Sequence, residues 1–323
     1  MIRKKYFPDT YIMIDAMRKP LRFIAAIMMS AAAMTSDAPL FAQKRSVLDS
    51  SASVDYTVNR LVPYDSETKP ARSAQNMPVP EDQWQAFRQM IADAKERFET
   101  INRNFGAYAC IVTMRETVGG ELQDMRRAQM IFRAKPFSVY LKYITPDNIV
   151  GREMLYVEGK YYGKIIATKG GFRPALAHIT RAIKTDSPMA RAESNHSLKE
   201  LGIASMMKQL LDVAYSTEQF PDCKIEFIEN ASIDNRPCTV IQITHEPKSK
   251  VFPFYKGQVF IDNQYLVPVR FVCYDWPDAS GIAPIREEFT YTNIIPNISV
   301  TEADFDYRNP RYEFKKDLTI SPD

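Results

Sequence analysis

The order of apolar and polar positions divides the chain into two amphipathic helices and two series of strands. Residues 80–101 place their apolar side chains at helical spacing, with most of the charged side chains on other sides. A second helix is predicted at about 198–215, where Ser197 and Glu200 form a capping-box signature before a wide apolar face. The remaining β-propensive runs predict strands at 107–117, 123–135, 137–145, 153–158, 161–168, 224–229, 238–245, 254–262, 266–275 and 284–294.

The connections between these strands predict their pairing. The glycines at 119–120 and the proline after Lys135 mark short turns, which favour antiparallel neighbours. Strands and helices do not alternate as in a parallel sheet. We therefore predict an α+β fold with one antiparallel sheet. Residues 170–196 are predicted to be irregular, with a short helix near 175–184.

Two predicted strands, 137–145 and 153–158, carry apolar residues on both faces. An antiparallel strand with one solvated face would show polar residues on that face. The alternatives are burial by the two helices, or an apolar groove between sheet and helices. The groove hypothesis gives candidate lining residues on strands and on the second helix, namely Phe132, Val139, Leu141, Met154, Tyr156, Ile165, Met206 and Leu210.

The N-terminal region has the pattern of a secretory signal peptide over residues 1–42, and an uncleaved anchor or a buried helix is the alternative. A basic segment begins at Met17, which is also an alternative translation start, and a twelve-residue apolar run follows. Residues 43–79 are polar and predict a disordered linker. No cysteine occurs before Cys110, so we expect an exported, periplasmic protein rather than a lipoprotein.

The composition restricts the classes of partner and site. A net charge of +3 without a basic cluster that contains aromatic residues gives no reason to expect nucleic-acid binding. Disulfide pairing stays open. Cys223 and Cys238 would lie at opposite ends of a predicted hairpin, too far apart to bond, and Cys110 and Cys273 have no partner that spacing identifies.

No catalytic or metal-binding motif is present in the sequence. His178, His196 and His245 are far apart and lack ligand spacing, so no metal site is expected. The segment 159–164 is one residue too short for a phosphate loop and is interpreted as a hairpin turn. We expect a protein that is not an enzyme and has no cofactor.

The adjacent residues Glu287 and Glu288 lie in one predicted strand. Neighbouring residues of a strand point to opposite faces, so these carboxylates cannot act together. We expect one of them to be solvated and the other to be satisfied by a partner.

Several stretches resemble a bacterial family of unknown function, the one numbered 1571. They occur in the expected order across residues 84–314, at 136–171, 236–247, 257–277 and 286–314. That family is similar to the LolA/LolB/RseB group. The resemblance implies a half-open β-barrel, in which one strongly curved antiparallel sheet has helices covering its concave face. It implies this domain at 80–316, a tail at 317–323, and closure of the barrel by Phe305.

The function that the resemblance implies is binding rather than catalysis. LolA-like carriers hold acyl chains in an apolar concavity, so we expect a lipid acyl chain or a lipoprotein as the ligand, with peripheral membrane contact. An RseB-like sensor that binds an envelope protein is the alternative. An envelope hydrolase built from dispersed polar residues is a further one.

Overall fold

The computed structural model describes most of the chain after residue 80. The predicted signal peptide at 1–42 and linker at 43–79 lie outside the described residues, as does His178. Among the described residues, no helix has the length and apolar character that crossing a membrane requires. The described residues are 81–171, 179–219, 223–245, 252 and 254–322.

The described residues form three α-helices and twelve strands, together with short 3₁₀ turns. The helices are α1 (Glu81–Phe105), α2 (Pro188–Arg191) and α3 (Ile203–Gln219). The strands are β1 (Ala107–Val118), β2 (Glu121–Leu122), β3 (Arg126–Arg133), β4 (Ser138–Thr145), β5 (Glu153–Val157), β6 (Lys164–Thr168), β7 (Thr180–Lys184), β8 (Cys223–Ile233), β9 (Arg236–His245), β10 (Lys256–Asp262), β11 (Pro268–Tyr274) and β12 (Ile285–Pro296).

All strands join one sheet in the order β7-β6-β5-β4-β3-β1-β12-β11-β10-β9-β8, with β2 paired to β1. Every recorded pair is antiparallel. The chain closes the middle of the sheet by pairing its first long strand with its last, Val112 opposite Tyr291. The strands β7 and β8 form the two edges and do not pair with each other. The predicted single antiparallel sheet is confirmed, and it is open.

Two local predictions were wrong. Residues 180–184 form the edge strand β7 instead of part of a helix, because they pair with β6 over five residues. The capping box at Ser197 and Glu200 begins a 3₁₀ turn rather than the long helix. The helix α3 starts at Ile203, after Gly202 with its positive φ of 113°.

The helices α1 and α3 share one apolar core with one face of the sheet. The acidic residues Glu81 and Asp82 lie in the first turn of α1, where the helix dipole favours negative charge. Alternate residues of β1, β3 and β4 point to the same core, as the period-two geometry of strands requires. The buried side chains of α1 are Trp84, Phe87, Met90, Ile91, Ala94, Ile101 and Phe105.

The opposite face of the sheet is covered near β4 and β5 by the C-terminal segment. Tyr312 stacks on Tyr140 with ring centroids 4.1 Å apart. Phe305 is fully buried, and the guanidinium of Arg133 lies 4.6 Å from its ring centroid. Phe305 therefore packs against the sheet, as the resemblance implied. This cover explains why β4 and β5 are apolar on both faces, since their other face belongs to the core that includes side chains of the helices.

The cysteines of the β8–β9 hairpin lie at opposite ends, as expected. Cys223 faces His245, whereas Cys238 faces Ala231. Cys110, Cys238 and Cys273 are buried free thiols. Burial raises the pKa of the Cys238 thiol to about 11, so this side chain packs as a small apolar group.

Candidate functional site

A cavity of about 500 Å³ lies between the β3–β7 part of the sheet and the segment from 179 to 201. Its volume falls within the roughly 300–1,000 Å³ range of small-molecule sites. The sheet contributes side chains from seven strands, and residues 189–201 form the opposing wall. The apolar lining consists of Met114, Leu141, Tyr143, Met154, Ile165, Ala167, Ile179, Ile183, Met189, Ala190, Leu198, Leu201 and Phe289.

Three of the eight predicted groove residues, Leu141, Met154 and Ile165, line this cavity. Met206 lines a smaller hollow, which shares His196, Leu201 and Phe289 with the cavity. The other four residues belong to the packed core and line neither space; they are Phe132, Val139, Tyr156 and Leu210.

Aromatic packing explains why three of those four residues are excluded from the lining. Val139 is paired across the sheet with Phe132 on one side and Tyr156 on the other. The ring of Phe137 lies 5.4 Å from the ring of Phe132 and 6.0 Å from that of Tyr156. This aromatic group fills the sheet face at that end of the strands, so the cavity lies toward the other end.

Charged side chains also line the cavity, and most of them are basic. Arg126, Arg152, Lys169 and Arg181 contribute positive charge, whereas Glu193 is the acidic lining residue among the described positions. Arg152 forms an ion pair with Glu193 through both carboxylate oxygens. The cavity therefore combines an apolar interior with an excess of positive charge.

His196 lies where the cavity meets the small hollow and bonds to two carboxylates. Its Nε2 atom lies 2.8 Å from Oε2 of Glu287, and its Nδ1 atom lies 3.1 Å from Oε2 of Glu200. Burial alone would lower the pKa of His196. The negative charge of Glu287 and the hydrogen bonds to both carboxylates outweigh that effect and raise the pKa to about 10. His196 is therefore an imidazolium that donates both N–H groups.

Glu116 holds the residues just before His196 against the sheet. Its carboxylate accepts hydrogen bonds from the side chain of Arg126 at 2.7 Å, from Ser194 Oγ at 2.8 Å and from the backbone N–H of Asn195 at 2.9 Å. Glu116 is fully buried and Arg126 is 7% exposed. Removing either Glu116 or Arg126 would leave an uncompensated buried charge. The bonds from Glu116 to Ser194 and Asn195 therefore hold this part of the cavity wall against the sheet.

Glu116, His196 and Glu287 offer one ligand atom each, all within 4.8 Å of one another. This spacing could suit a divalent cation. However, both oxygens of Glu116 already accept hydrogen bonds, and both nitrogens of His196 face carboxylates. The protein groups satisfy one another, and we interpret the cluster as an ion network that positions the segment 194–200.

Sequence analysis did not find this network because its members are distant in the chain. His196 and Glu287 are 91 residues apart, and Asn195 is 79 residues from Glu116. The expectation that Glu287 or Glu288 would be solvated was wrong. Both are buried, and Glu288 pairs with Arg270 at 2.8 Å on the opposite face.

Comparison with known proteins identifies a family and finds several solved structures with low similarity to this chain. Residues 105–314 match the family described as "Protein of unknown function (DUF1571)". No curated protein matches the chain.

Among solved structures, a LolA superfamily protein from Nitrosomonas europaea is 12% identical, with a TM-score of 0.30; the match covers 66% of this chain and 97% of that chain. The lipoprotein LppX of Mycobacterium tuberculosis is 13% identical, with a TM-score of 0.35 and coverage of 65% and 97%. A chain of the Pseudomonas aeruginosa MucA/MucB complex is 13% identical, with a TM-score of 0.36; the match covers 67% of this chain and 60% of that chain.

Proposed function

The chain belongs to the DUF1571 family of proteins of unknown function, and we propose that it binds the acyl chain of a lipid or lipoprotein without catalysing a reaction on it. The observation that carries this proposal is the cavity of about 500 Å³ between the sheet and residues 179–201. Its lining is mainly apolar and contains three methionines, whose flexible side chains adapt to irregular ligands.

Burial of apolar surface would supply the binding free energy. Each methylene group that leaves water contributes about 0.8 kcal/mol. A chain of about sixteen carbons could therefore contribute on the order of 10 kcal/mol before the costs of ordering. Leu141, Met154 and Ile165 form the sheet side of the proposed chain site, and Leu198 and Leu201 face them from the opposing wall.

The proposal includes the architecture and location that the sequence predicts. In it, the sheet is a strongly curved half-barrel over residues 80–316, and α1 and α3 cover its concave face. Residues 1–42 direct export to the periplasm and residues 43–79 act as a linker. The protein would contact membranes only peripherally, when it takes up or releases its lipid.

Native mass spectrometry of the gently purified protein, together with uptake of a fluorescent fatty acid, tests this function. The variant Ile179→Asp/Met189→Asp places two carboxylates on exposed parts of the cavity lining. The control Ile282→Asp makes the same kind of change at a residue that is 63% exposed and lies outside the lining. We expect the double variant to lose bound lipid and the control to keep it. A folded double variant that retains all its lipid would contradict the proposal.

Binding of an envelope protein is a second candidate, favoured by the edge strand β8. Within the described part of the chain, no strand pairs with its outer edge. Phe227 and Ile228 on this strand are 38% and 41% exposed. An exposed edge with apolar side chains can accept a strand from a partner. Crosslinking from position 227 in an envelope fraction would capture that partner, and loss of the crosslink in Ile228→Lys would map it to this edge.

A further inference from the structure

The charged part of the cavity lining indicates which class of lipid the site would accept. Lys169 and Arg181 form no ion pair or hydrogen bond with a carboxylate among the described residues, although both line the cavity. Arg181 lies opposite Ala167 in the β6–β7 pair, and Ala167 also lines the cavity. Opposed residues of an antiparallel pair project from the same face, so Arg181 is directed to the cavity side.

The backbone brings a third cation to the same place. The Nε atom of Arg152 donates a hydrogen bond to the carbonyl oxygen of Lys169 at 3.1 Å. Gly170 follows with a φ of 67°, and a Cβ atom there would lie only 2.5 Å from the backbone nitrogen of Arg152. This approach is open only to glycine and holds Lys169 beside Arg152. The local chain path therefore places the backbone of Lys169 against Arg152.

The acidic side chains of the site do not balance this charge. Arg152 is paired with Glu193, and Arg126 is paired with Glu116. These two pairs leave Lys169 and Arg181 as uncompensated charges beside an apolar interior. A neutral ligand would leave this charge without a partner, whereas an anionic head group would complement it.

We propose that the ligand is a single-chain lipid with an anionic head group, whose head lies against Lys169, Arg181 and Arg152 while its chain enters the apolar interior. This inference rests on the proposed function, because it assigns the head of the ligand whose chain that function places in the cavity. A carboxylate and a phosphate monoester both carry the negative charge that these cations would bind. The first would come from a free fatty acid and the second from a lysophospholipid.

The test compares three ligands that share one oleoyl chain and differ in the head group. Oleate carries a carboxylate, oleoyl lysophosphatidate carries a phosphate, and monooleoylglycerol is neutral. Binding to the full chain is measured by titration calorimetry below the critical micelle concentration of each ligand, at about pH 8, where the carboxylate is ionised. We expect at least one anionic ligand to bind about tenfold more tightly than the neutral one.

Matched variants test the assignment to the two cations. Lys169→Gln/Arg181→Gln removes two charges from the lining, and Lys95→Gln/Lys208→Gln removes two exposed charges from the helices, so both have the same net charge. The first variant should bind the preferred anionic lipid about tenfold more weakly and monooleoylglycerol within about twofold of wild type, since only the anionic head group loses charge–charge contacts. The second should bind all ligands as wild type does.

The outcomes separate this inference from the function on which it rests. Equal affinity for neutral and anionic ligands, or equal losses in the two variants, would overturn the anionic head group while leaving acyl-chain binding intact. Failure of all three ligands to bind would overturn the proposed function itself. Preference for oleate over lysophosphatidate supports the inference and identifies a fatty acid, and the reverse preference identifies a lysophospholipid.

Discussion

The Nε2 atom of His196 lies 2.8 Å from Oε2 of Glu287, which joins the wall of the cavity to the last strand of the sheet. The other ring nitrogen faces the carboxylate of Glu200, which lies three residues before the start of α3 at Ile203. Both contacts need the charged form of the imidazole to donate two hydrogen bonds. The position of the segment 194–200 is therefore coupled to the protonation of one histidine.

This coupling predicts a loss of stability in alkaline solution. The pKa of His196 is about 10 in the folded protein and about 6.5 in the unfolded chain. Because the folded state holds the proton more tightly, the stabilisation is complete below about pH 6.5 and is lost as the pH rises toward 10. The full loss should approach about 5 kcal/mol, since one pKa unit corresponds to about 1.4 kcal/mol and the value of about 10 already includes the cost of burial.

Urea unfolding of wild type and His196→Gln at about pH 6, 8 and 9.5 measures this contribution. The difference in unfolding free energy between the two proteins should shrink as the pH rises, since glutamine has no charge to lose. Subtracting the unfolding free energy of the variant from that of wild type removes the contribution of lysines and tyrosines that titrate in the same pH range. A difference that stays constant across this range would show that His196 is not charged in the folded protein.

His245 predicts the opposite dependence on pH. It is fully buried, its ring is stacked 3.8 Å from that of Phe252, and neither ring nitrogen has a hydrogen-bond partner in the described part of the chain. Burial lowers its pKa to about 4. As the pH falls, His245 is therefore protonated at a higher pH in the unfolded chain than in the folded protein. Stability is lost as the pH falls from about 6.5 to 4. The full loss would approach roughly 3 kcal/mol.

The variant His245→Leu should remove this sensitivity to acid without loss of stability at neutral pH, because leucine leaves no unpaired polar atom in the core. Thermal unfolding at about pH 7 and pH 4.5 compares the two proteins. His196→Gln serves as the control. The stabilisation from His196 is complete below about pH 6.5, so its removal should leave most of the decrease between these two pH values unchanged. An equal decrease in wild type and His245→Leu would contradict the prediction.

The sequence predicted the parts of this fold that depend on local periodicity. The pattern of α1 and the turns of the meander identified the elements, and strand alternation placed the candidate lining residues Val139 and Leu141 on one face of β4. Alternation cannot decide which end of that face is open. Val139 and Leu141 share the face, yet only Leu141 lines the cavity. Val139 is kept out of the lining because the rings of Phe132, Phe137 and Tyr156 pack together at its end of the strand.

The strand β7 and the His196 network depend on distant contacts in the same way. Residues 180–184 have little strand character of their own, and five backbone pairings with β6 determine their structure. The ion network needs β1, β12 and residues 194–200 to meet before its members are neighbours. No spacing in the sequence could identify either feature.

The start of α3 predicts a strong effect of two tyrosine hydroxyl groups. The backbone N–H of Gly202 donates to Tyr291 Oη, and that of Ile203 donates to Tyr108 Oη, each at 2.9 Å. These acceptors satisfy N–H groups that the helix itself cannot pair. Tyr108→Phe and Tyr291→Phe should each lower the free energy of unfolding by about 1–3 kcal/mol, the cost of a buried donor without a partner.

Tyr162→Phe is the matched control, because Tyr162 is 65% exposed and the same atom is removed there. Its unfolding free energy should stay within about 0.5 kcal/mol of wild type. Urea unfolding of the three variants makes the comparison. Equal stability of all three would indicate that water replaces the tyrosine hydroxyl groups at the helix start.

Gly202 itself predicts a steric effect that a second substitution should relieve. Its φ is 113°, and a Cβ atom there would lie 2.7 Å from a ring carbon of Phe132. Gly202→Ala should therefore cost about 3 kcal/mol or more, from backbone strain together with overpacking. Gly159→Ala has a similar strain, with a φ of 77°, but nothing lies within 4 Å of the added atom, so it should cost only about 1 kcal/mol.

A double-mutant cycle with Phe132→Leu separates the clash from the strain. The smaller leucine makes room for the added methyl group, so Gly202→Ala should cost about as much as Gly159→Ala in the Phe132→Leu background. The cost of Gly159→Ala should be the same in both backgrounds, since no atom of Phe132 lies within 4 Å of a Cβ atom at residue 159. If Gly202→Ala cost the same with and without the ring, backbone strain alone would fix glycine at the entrance to α3, and the close approach of helix and sheet would play no part.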